Sequence, residues 1–487
     1  MSEIPMIIDG RPVESDRHIE VRNPADLAEV VGRVPDASPD DVDAAARAAA
    51  IAFPEWAARP VTERANLLHG VGSVITDLTD DLTKLLTREH GKVLWESGVD
   101  LFYASAVCHL TASLAEGALK DTRIRDTGGT TVIRRCPVGP VAAIVPWNFP
   151  VVLSFMKIAP ALLAGNTVVL KPSELVPLTI TRVIQEVQKY LPPGVLNVVT
   201  GGDDTGANLV GHPLIRKVAF TGGTETGTKV MQAAARDVKR VTLELGGNDA
   251  ALVLDDAELT DDLVGGLVRG VYTSTGTLCF SVKRIYVPAQ AFDLFVDRFC
   301  AAVDRLVVGR GDDPGSSIGP INNEQQLRAV EKLLDEVEAS GATVRRLGQR
   351  LDPAGWDRGH FMLPSVVTGL APDAPLVTEE QFGPTVPILP YRTLDEGLRL
   401  VNDTRYGLCS SVWSSDEDRA FEVGRRVEAG SVFINSHVFD SLDPRAPFGG
   451  MKSSGLGREF GAYAFDSYTE YQTISRRTGP PGEPLPH

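Results

Sequence analysis

Three residues in this chain have the types and settings that acyl chemistry needs. Cys279 stands in Gly276-Thr277-Leu278-Cys279-Phe280-Ser281-Val282-Lys283-Arg284, among small or apolar neighbours and just ahead of the strand-like run Arg284-Ile285-Tyr286-Val287. Glu244 ends the run Val241-Thr242-Leu243 and is followed by Leu245-Gly246-Gly247, whose paired glycines turn the chain sharply. We read the thiol as a nucleophile and the carboxylate as a general base, thirty-five residues apart in sequence but facing each other across one site. Asn148, in Pro146-Trp147-Asn148-Phe149-Pro150, is flanked by aromatic and proline residues that can hold its amide outward as a donor to an oxyanion. On residue type alone, a turn asparagine satisfying local backbone is the plainer reading.

Two further stretches suit a phosphate or a ribose. Phe220-Thr221-Gly222-Gly223-Thr224-Glu225-Thr226-Gly227 links a strand to a helix, where glycines admit a phosphate and free N–H groups point at it. It is neither GxGxxG nor a P-loop, since Thr228-Lys229 reverses the P-loop order and Glu225 repels a triphosphate. Plain tight-turn geometry explains it equally well. Lys171-Pro172-Ser173-Glu174 sets a lysine and an acid where ribose hydroxyls can be met, and a solvated turn is the alternative. Glu379-Glu380-Gln381-Phe382-Gly383-Pro384 is open to the same alternative. Gly201-Gly202-Asp203-Asp204 carries two aspartates and reads as a structural turn.

The elements that must position these groups alternate. Apolar strands at 141–145, 167–170, 196–199, 217–220 and 241–245 are separated by helices at 151–163, 177–191 and 227–236. That pattern predicts an α/β fold with a parallel sheet covered on both faces, which binds ligands at the carboxyl ends of its strands. The alternation resumes with strands at 251–254, 284–287, 386–389, 407–413 and 431–434, and helices at 291–306, 324–340 and 417–429. Before the first sheet, Ile7 to Val13 reads as strand and turn. Ser38-Pro39-Asp40-Asp41 opens a helix, and two more helices follow at 62–80 and 97–117, for which packing is the better account. The strand near Thr130–Val138 is read as half of an exposed hairpin, and the Pro/Gly-rich segment 478–487 as irregular.

A length of 487 residues implies more than one core. A net charge of −16 argues against nucleic acid or an acidic membrane surface as partner. The five cysteines (108, 136, 279, 300 and 409) are odd in number and lack CxxC spacing, which suits a reduced, intracellular chain without a zinc site. Each alone is first a small buried apolar residue. No basic-then-apolar leader opens the sequence, and the apolar stretches fall short of a membrane span, so a cytoplasmic location is expected.

Together, in this order, these motifs resemble the NAD(P)-dependent aldehyde dehydrogenase superfamily over nearly the whole chain. The likeness includes Ala52-Phe53-Pro54-Glu55-Trp56 and the motifs around Asn148, Lys171, Gly223, Glu244, Cys279 and Glu380. It extends to Gly319-Pro320 and to Pro447-Phe448-Gly449-Gly450-Met451-Lys452-Ser453-Ser454-Gly455.

The resemblance implies two Rossmann-like parallel-sheet domains plus a small β oligomerisation element. The NAD-binding domain would take 1–120 and 139–247, the catalytic domain 248–450, and the oligomerisation hairpin and tail 121–138 and 466–487. Exposed edges of the 124–138 hairpin and the 468–474 strand would pair with another subunit, giving a homodimer or homotetramer. Cys279 would attack the aldehyde carbonyl, with the oxyanion held by the Asn148 amide and the Cys279 N–H. Hydride would pass to the nicotinamide, and Glu244 would activate water against the resulting thioester. Lys157 matches the family lysine that supports cofactor and proton traffic.

For the cofactor, Lys171, Ser173 and Glu174 would lie at the adenosine ribose, Gly223 and Thr224 at the pyrophosphate, and Glu380 with Phe382 at the nicotinamide riboside. Pro146, Trp147, Leu245 and Gly246 complete that set. Glu174 would repel a 2′-phosphate, so NAD is expected over NADP. Three departures stand out: Thr277 where glutamine is common, Gly223 where serine is common, and Asn248-Asp249 for a frequent Lys-Ser or Lys-Ala pair.

Phe149, Leu153, Met156, Leu278, Phe280 and Phe448 would line the aldehyde tunnel and favour a medium aliphatic or aromatic aldehyde. Arg445 or His437 would instead meet a substrate carboxylate in a semialdehyde dehydrogenase, though a surface role is the plainer reading of either. Two other functions compete. A cofactor-independent cysteine esterase usually needs a histidine base, and no histidine motif lies beside Cys279; a binding protein without turnover has no use for the intact Cys279, Glu244 and Asn148 set.

Overall fold

The computed structural model describes residues 2–483. Five short apolar strands, Val141–Ile144, Val168–Lys171, Leu196–Val198, Lys217–Thr221 and Arg240–Glu244, pair in parallel. Across the sheet they run 240–244, 217–221, 141–144, 168–171, 196–198, so the order reverses between Val141–Ile144 and Lys217–Thr221. A reversal of that kind opens a crevice at the carboxyl ends of the strands. The three central strands are buried at every position, which is why they read as unbroken apolar runs. The hairpin Met6–Ile8 and Arg11–Val13 extends one edge antiparallel.

The other edge is closed from far along the chain. Gly455–Leu456 pairs antiparallel with Arg240–Glu244, setting Gly455 opposite Glu244. Gly455 has φ +150°, and a Cβ there would meet the Leu243 carbonyl at 2.2 Å, so only glycine permits this approach.

A second sheet carries six parallel strands in the order 365–368, 385–391, 282–288, 249–253, 409–413, 431–434, with Thr343–Arg346 antiparallel at one edge. The parallel alternation expected from the sequence is therefore present twice. A third sheet sets Gly129–Pro137 between Thr122–Asp126 and Thr469–Arg477, all antiparallel. Thr469–Arg477 forms its edge and exposes Tyr471 and Ile474. After this strand the chain bends and runs without regular structure to 483; the remainder of the tail lies outside the described residues.

The helical segment before the first sheet differs from its expectation. The first helix, Pro39–Ala58, begins at the Ser38 capping box with Pro39 in its first turn, as the sequence implies. The helix expected at 62–80 is present as Val61–Asp77, and a further helix that the sequence did not announce, Thr79–His90, follows it across Leu78. The next runs from Leu94 to Ala118. Against the expectation that no apolar stretch is long enough, this helix alone among the described residues has the length and composition to cross a membrane. Half of its apolar window is buried, it packs against Val61–Asp77 and Pro150–Leu163, and it carries Glu96 and Asp100 fully buried inside the protein. Those features are what a core helix requires. Pro150–Leu163 is buried on every side, with Pro150 in its first turn where no N–H is missed.

Candidate active site

Val141–Ile144 delivers Pro146 to Pro150 at its carboxyl end, and Arg240–Glu244 delivers Glu244, so both lie on the crevice edge of the first sheet. Cys279 comes from the other side, in the loop between Thr273–Gly276 and the second-sheet strand Val282–Pro288. Between buried Leu278 and Phe280 it keeps partial exposure, which opens into a cavity. That loop is wound tightly: Ser274, Thr275 and Gly276 all take positive φ, unusual for the first two. Glu96 accepts the Ser274 N–H at 2.5 Å, and Thr275 Oγ1 donates to the Gly319 carbonyl at 3.0 Å, pinning the strained turn. Thr277 donates its hydroxyl to the Ser274 carbonyl at 2.6 Å, so this departure serves the turn rather than the cavity wall.

Asn148 bridges the two halves. Its Nδ2 donates to the Thr277 carbonyl at 2.9 Å, which fixes the amide orientation and leaves one N–H free. The Cys279 backbone N–H also finds no acceptor among the described residues. Behind Asn148, the buried Lys92 ammonium donates to the Asn148 carbonyl at 2.8 Å, pairs with Asp100 at 3.2 Å and lies 3.6 Å from the Phe149 ring centroid. Asp100 Oδ1 in turn accepts the Val152 N–H at 2.7 Å. Lys92, Glu96 and Asp100 thus hold both the asparagine loop and the cysteine loop, in a segment that sequence reasoning assigned to packing.

Glu244 is buried, and among the described residues neither carboxylate oxygen finds a hydrogen bond of good distance and angle. Burial, then the like charge of Glu459, push its carboxyl up to about 8; Lys157, the Cys279 thiol and the Thr221 hydroxyl oppose this from nearby. Lys157 Nζ binds Glu459 at 2.5 Å in a fully buried ion pair. Glu459, which the sequence reading did not single out, is thereby part of the site. Burial and the Glu244 charge raise the Cys279 thiol well above its ordinary range, so it rests protonated. The arrangement pairs a neutral nucleophile with a buried, unpartnered base and two free N–H donors.

All six side chains expected along the tunnel, Phe149, Leu153, Met156, Leu278, Phe280 and Phe448, line this cavity with Asn148 and Cys279. Tyr103, Phe439 and Phe460 join them, Phe439 with its centroid 4.9 Å from Phe149 and 5.3 Å from Phe280. Among the described residues, none that lines the wall is charged. Arg445 is exposed and paired with Asp443, and His437 is buried, bonded to the Phe280 carbonyl at 2.7 Å and to Ser411. Neither lines the cavity; the surface role preferred for both holds for Arg445, whereas His437 is buried.

Most of the residues expected at a dinucleotide follow the carboxyl ends of the first-sheet strands, while Glu380 and Phe382 lie in the loop before the second-sheet strand Thr385–Tyr391. Lys171 Nζ lies 3.7 Å from Glu174, which stays substantially exposed, and Ser173 Oγ accepts the Leu175 N–H. Gly223 caps Thr224–Ala235 without a side-chain bond, and a Cβ on Gly223 would meet open space. Thr224 Oγ1 is buried without a partner. Leu245 packs against Gly227, and a Cβ on Gly246 would strike the Glu380 carboxylate at 2.3 Å. Glu380, pushed up to about 7 chiefly by burial, accepts the Gly247 N–H at 3.2 Å. Phe382 meets Trp147 edge to face at 5.4 Å, joining the second sheet's loop to the Asn148 loop. An uncapped helix start, an orphaned hydroxyl and an open glycine wall fit a pyrophosphate and ribose.

Comparison with known proteins agrees with this geometry. Residues 12–474 match the Aldehyde dehydrogenase family. The chain is 38% identical to the 2-hydroxymuconic semialdehyde dehydrogenase of Pseudomonas sp., covering 97% of this chain and 99% of that protein. It is also 38% identical to the geranial dehydrogenase of Castellaniella defragrans, over 92% and 94% of the two chains. The betaine aldehyde dehydrogenase of Staphylococcus aureus, solved in complex with NAD+, superposes with a TM-score of 0.93 at 33% identity, over 98% of this chain and 95% of that one. The chain belongs to the aldehyde dehydrogenase family, an NAD(P)-dependent family of oxidoreductases.

Proposed function

We propose that this protein oxidises a medium aliphatic or aromatic aldehyde to its carboxylic acid with reduction of NAD, through Cys279. One observation carries the reading: the Cys279 thiol opens into an apolar cavity beside two free N–H donors and an unpartnered buried carboxyl. The thiol loses its proton as it attacks, since burial disfavours a standing thiolate. Asn148 Nδ2 and the Cys279 N–H hold the oxyanion. When bound, the dinucleotide supplies the hydride acceptor. Lys171, Ser173 and Glu174 would hold its ribose, Gly223 and Thr224 its pyrophosphate, and Glu380 with Phe382 its nicotinamide side; Pro146, Trp147, Leu245 and Gly246 complete the walls. A carboxylate at Glu174 favours NAD over NADP. Glu244 then takes a proton from water that attacks the Cys279 thioester, and the Lys157–Glu459 pair is suited to pass that proton on.

A second reading has support from the relatives' names: a carboxylate-bearing semialdehyde as substrate. The apolar lining favours the first. NADH absorbance with a panel of aldehydes and semialdehydes tests both. Signal with apolar aldehydes that vanishes in Cys279→Ala supports the first, a marked preference for semialdehydes supports the second, and ester cleavage without NAD alone would refute both.

The chain would divide into a cofactor domain (1–120 and 139–247), a catalytic domain (248–450) and an oligomerisation element (121–138 and 466–487). The exposed Thr469–Arg477 edge would join copies into a homodimer or homotetramer. A cytoplasmic location without nucleic-acid or membrane partners fits the acidic charge.

A further inference from the structure

Lys283 takes no part in the chemistry assigned above, yet it stands directly behind the nucleophile. It is the second residue of Val282–Pro288 and is only 2% exposed. Its Nζ donates to the Leu278 carbonyl at 2.9 Å and lies 5.4 Å from the Phe382 ring centroid. The carboxylates of Asp249 and Glu380 interact with it through space, and among the described residues the ammonium forms no ion pair. A buried cation kept with one carbonyl and one aromatic face is a costly arrangement, and methionine would fill similar space more cheaply.

The carbonyl it holds belongs to the peptide whose N–H is that of Cys279. Leu278 O also accepts the Ser281 N–H at 3.2 Å, while the Cys279 N–H at the other end of the same amide is free. Drawing electron density toward an amide oxygen makes its N–H a stronger donor, because hydrogen bonds through one peptide reinforce each other.

We propose that Lys283 is a positioning residue: its ammonium polarises the Leu278–Cys279 peptide and sets a fixed positive charge behind the sulfur, so that negative charge forming on sulfur and oxyanion is stabilised. The proposal rests on the reading of Cys279 as nucleophile. Titratable groups face the thiol from several elements, and of these the Cys409 thiol is itself kept protonated by burial. Glu244 lies on Arg240–Glu244, Asp249 on Asp249–Val253 with His437 beside it, and Cys409 on Cys409–Trp413. Lys283 is the cation among them, and it opposes the three acidic groups. Behind Glu244 stand Lys157 and Glu459, and Glu380 faces Lys283 from the loop after Pro375–Thr378. In a buried setting such charges act with little screening.

The test is the pH dependence of Cys279 alkylation by iodoacetamide in the full-length protein, measured alongside kcat and KM for NADH formation. Lys283→Gln keeps a donor to Leu278 but removes the charge, Lys283→Met removes both, and Lys283→Arg restores the charge. In Gln and Met the alkylation midpoint is expected to rise by about one pH unit and kcat to fall about tenfold, with KM for aldehyde little changed. Arg is expected to recover much of the loss. Asp249→Asn removes an opposing anion and is expected to move the midpoint down, which gives an independent result of opposite sign should the Lys283 variants fold poorly. An unmoved midpoint in folded Lys283→Gln, or in Asp249→Asn, overturns the proposal while the nucleophile reading stands. Turnover persisting in Cys279→Ala overturns both.

Discussion

The surroundings of Glu244 dictate how turnover depends on pH. Its carboxyl is raised to about 8 by burial and by Glu459, and a base acts only when ionised. A group titrating near that value is about one-tenth ionised at pH 7 and about nine-tenths at pH 9, so thioester hydrolysis is expected to speed up roughly tenfold across the interval. Glu459→Gln removes the like charge and releases Lys157, now paired at 2.5 Å, to act on Glu244 alone. Both changes favour the carboxylate, so the rising limb moves to lower pH, while burial keeps it above the ordinary carboxylate range. The assay is kcat for NADH formation at saturating aldehyde and NAD from pH 6 to pH 10, for wild type and Glu459→Gln. A burst of NADH before the steady state identifies hydrolysis as the limiting step. A flat wild-type profile between pH 7 and pH 9 with the burst present, or an upward-moving limb in Glu459→Gln, would refute the reasoning. Stability carries the same signature. With the folded value above the unfolded one, the fold bears no penalty from Glu244 below about pH 4.5 and the full penalty above about pH 8, on the order of 5 kcal/mol at most. Glu244→Gln is therefore expected to raise Tm at pH 8.5 and leave it nearly unchanged at pH 4.5.

Three other outcomes are expected. Asn148→Ala removes the free side-chain donor and the Thr277 bond, and kcat should fall by about 10²–10³ with the protein still folded; a loss below about threefold in stopped-flow NADH formation would contradict it. Lys92→Met strands buried Asp100 and should cost about 3–5 kcal/mol in urea unfolding, with Lys92→Met/Asp100→Asn recovering part of that loss; no recovery would remove the pair as the cause. Glu174→Ala should raise kcat/KM for NADP relative to NAD by about tenfold or more, and an unchanged ratio would show that the carboxylate does not set cofactor choice.

The parallel sheets were legible because their strands are buried on both faces and so appear as continuous apolar runs between helices. The helix Thr79–His90 was not, because no glycine or proline marks its start and it shares Leu78 as cap with the helix before it. The strands Thr343–Arg346 and Ser365–Thr368 were not legible either: both are only four residues long, and the first is exposed and charged. Within the site, Cys279, Glu244 and Asn148 announce themselves by residue type and by the turns beside them. Glu459 does not, since its value lies in meeting Lys157 from 302 positions away. Glu96 and Asp100 did leave a trace, as two acids four apart on a largely apolar helix whose third acid, Glu116, is exposed, and buried charges at that spacing have to be answered from elsewhere. The aromatic Phe439 reaches the cavity from a loop whose path no periodicity foretells.

The late arrival of Gly455–Leu456 at the edge of the first sheet bears on how the molecule is made. While the ribosome is still adding residues 245 to 456, Arg240–Glu244 is a bare strand margin beside hydrophobic neighbours, able to recruit any passing β segment. At ordinary elongation speeds that interval lasts roughly 10–40 s. Splitting the gene between the two sheets should accordingly yield an amino-terminal fragment that clumps, and supplying the carboxyl-terminal fragment in the same cell should rescue it.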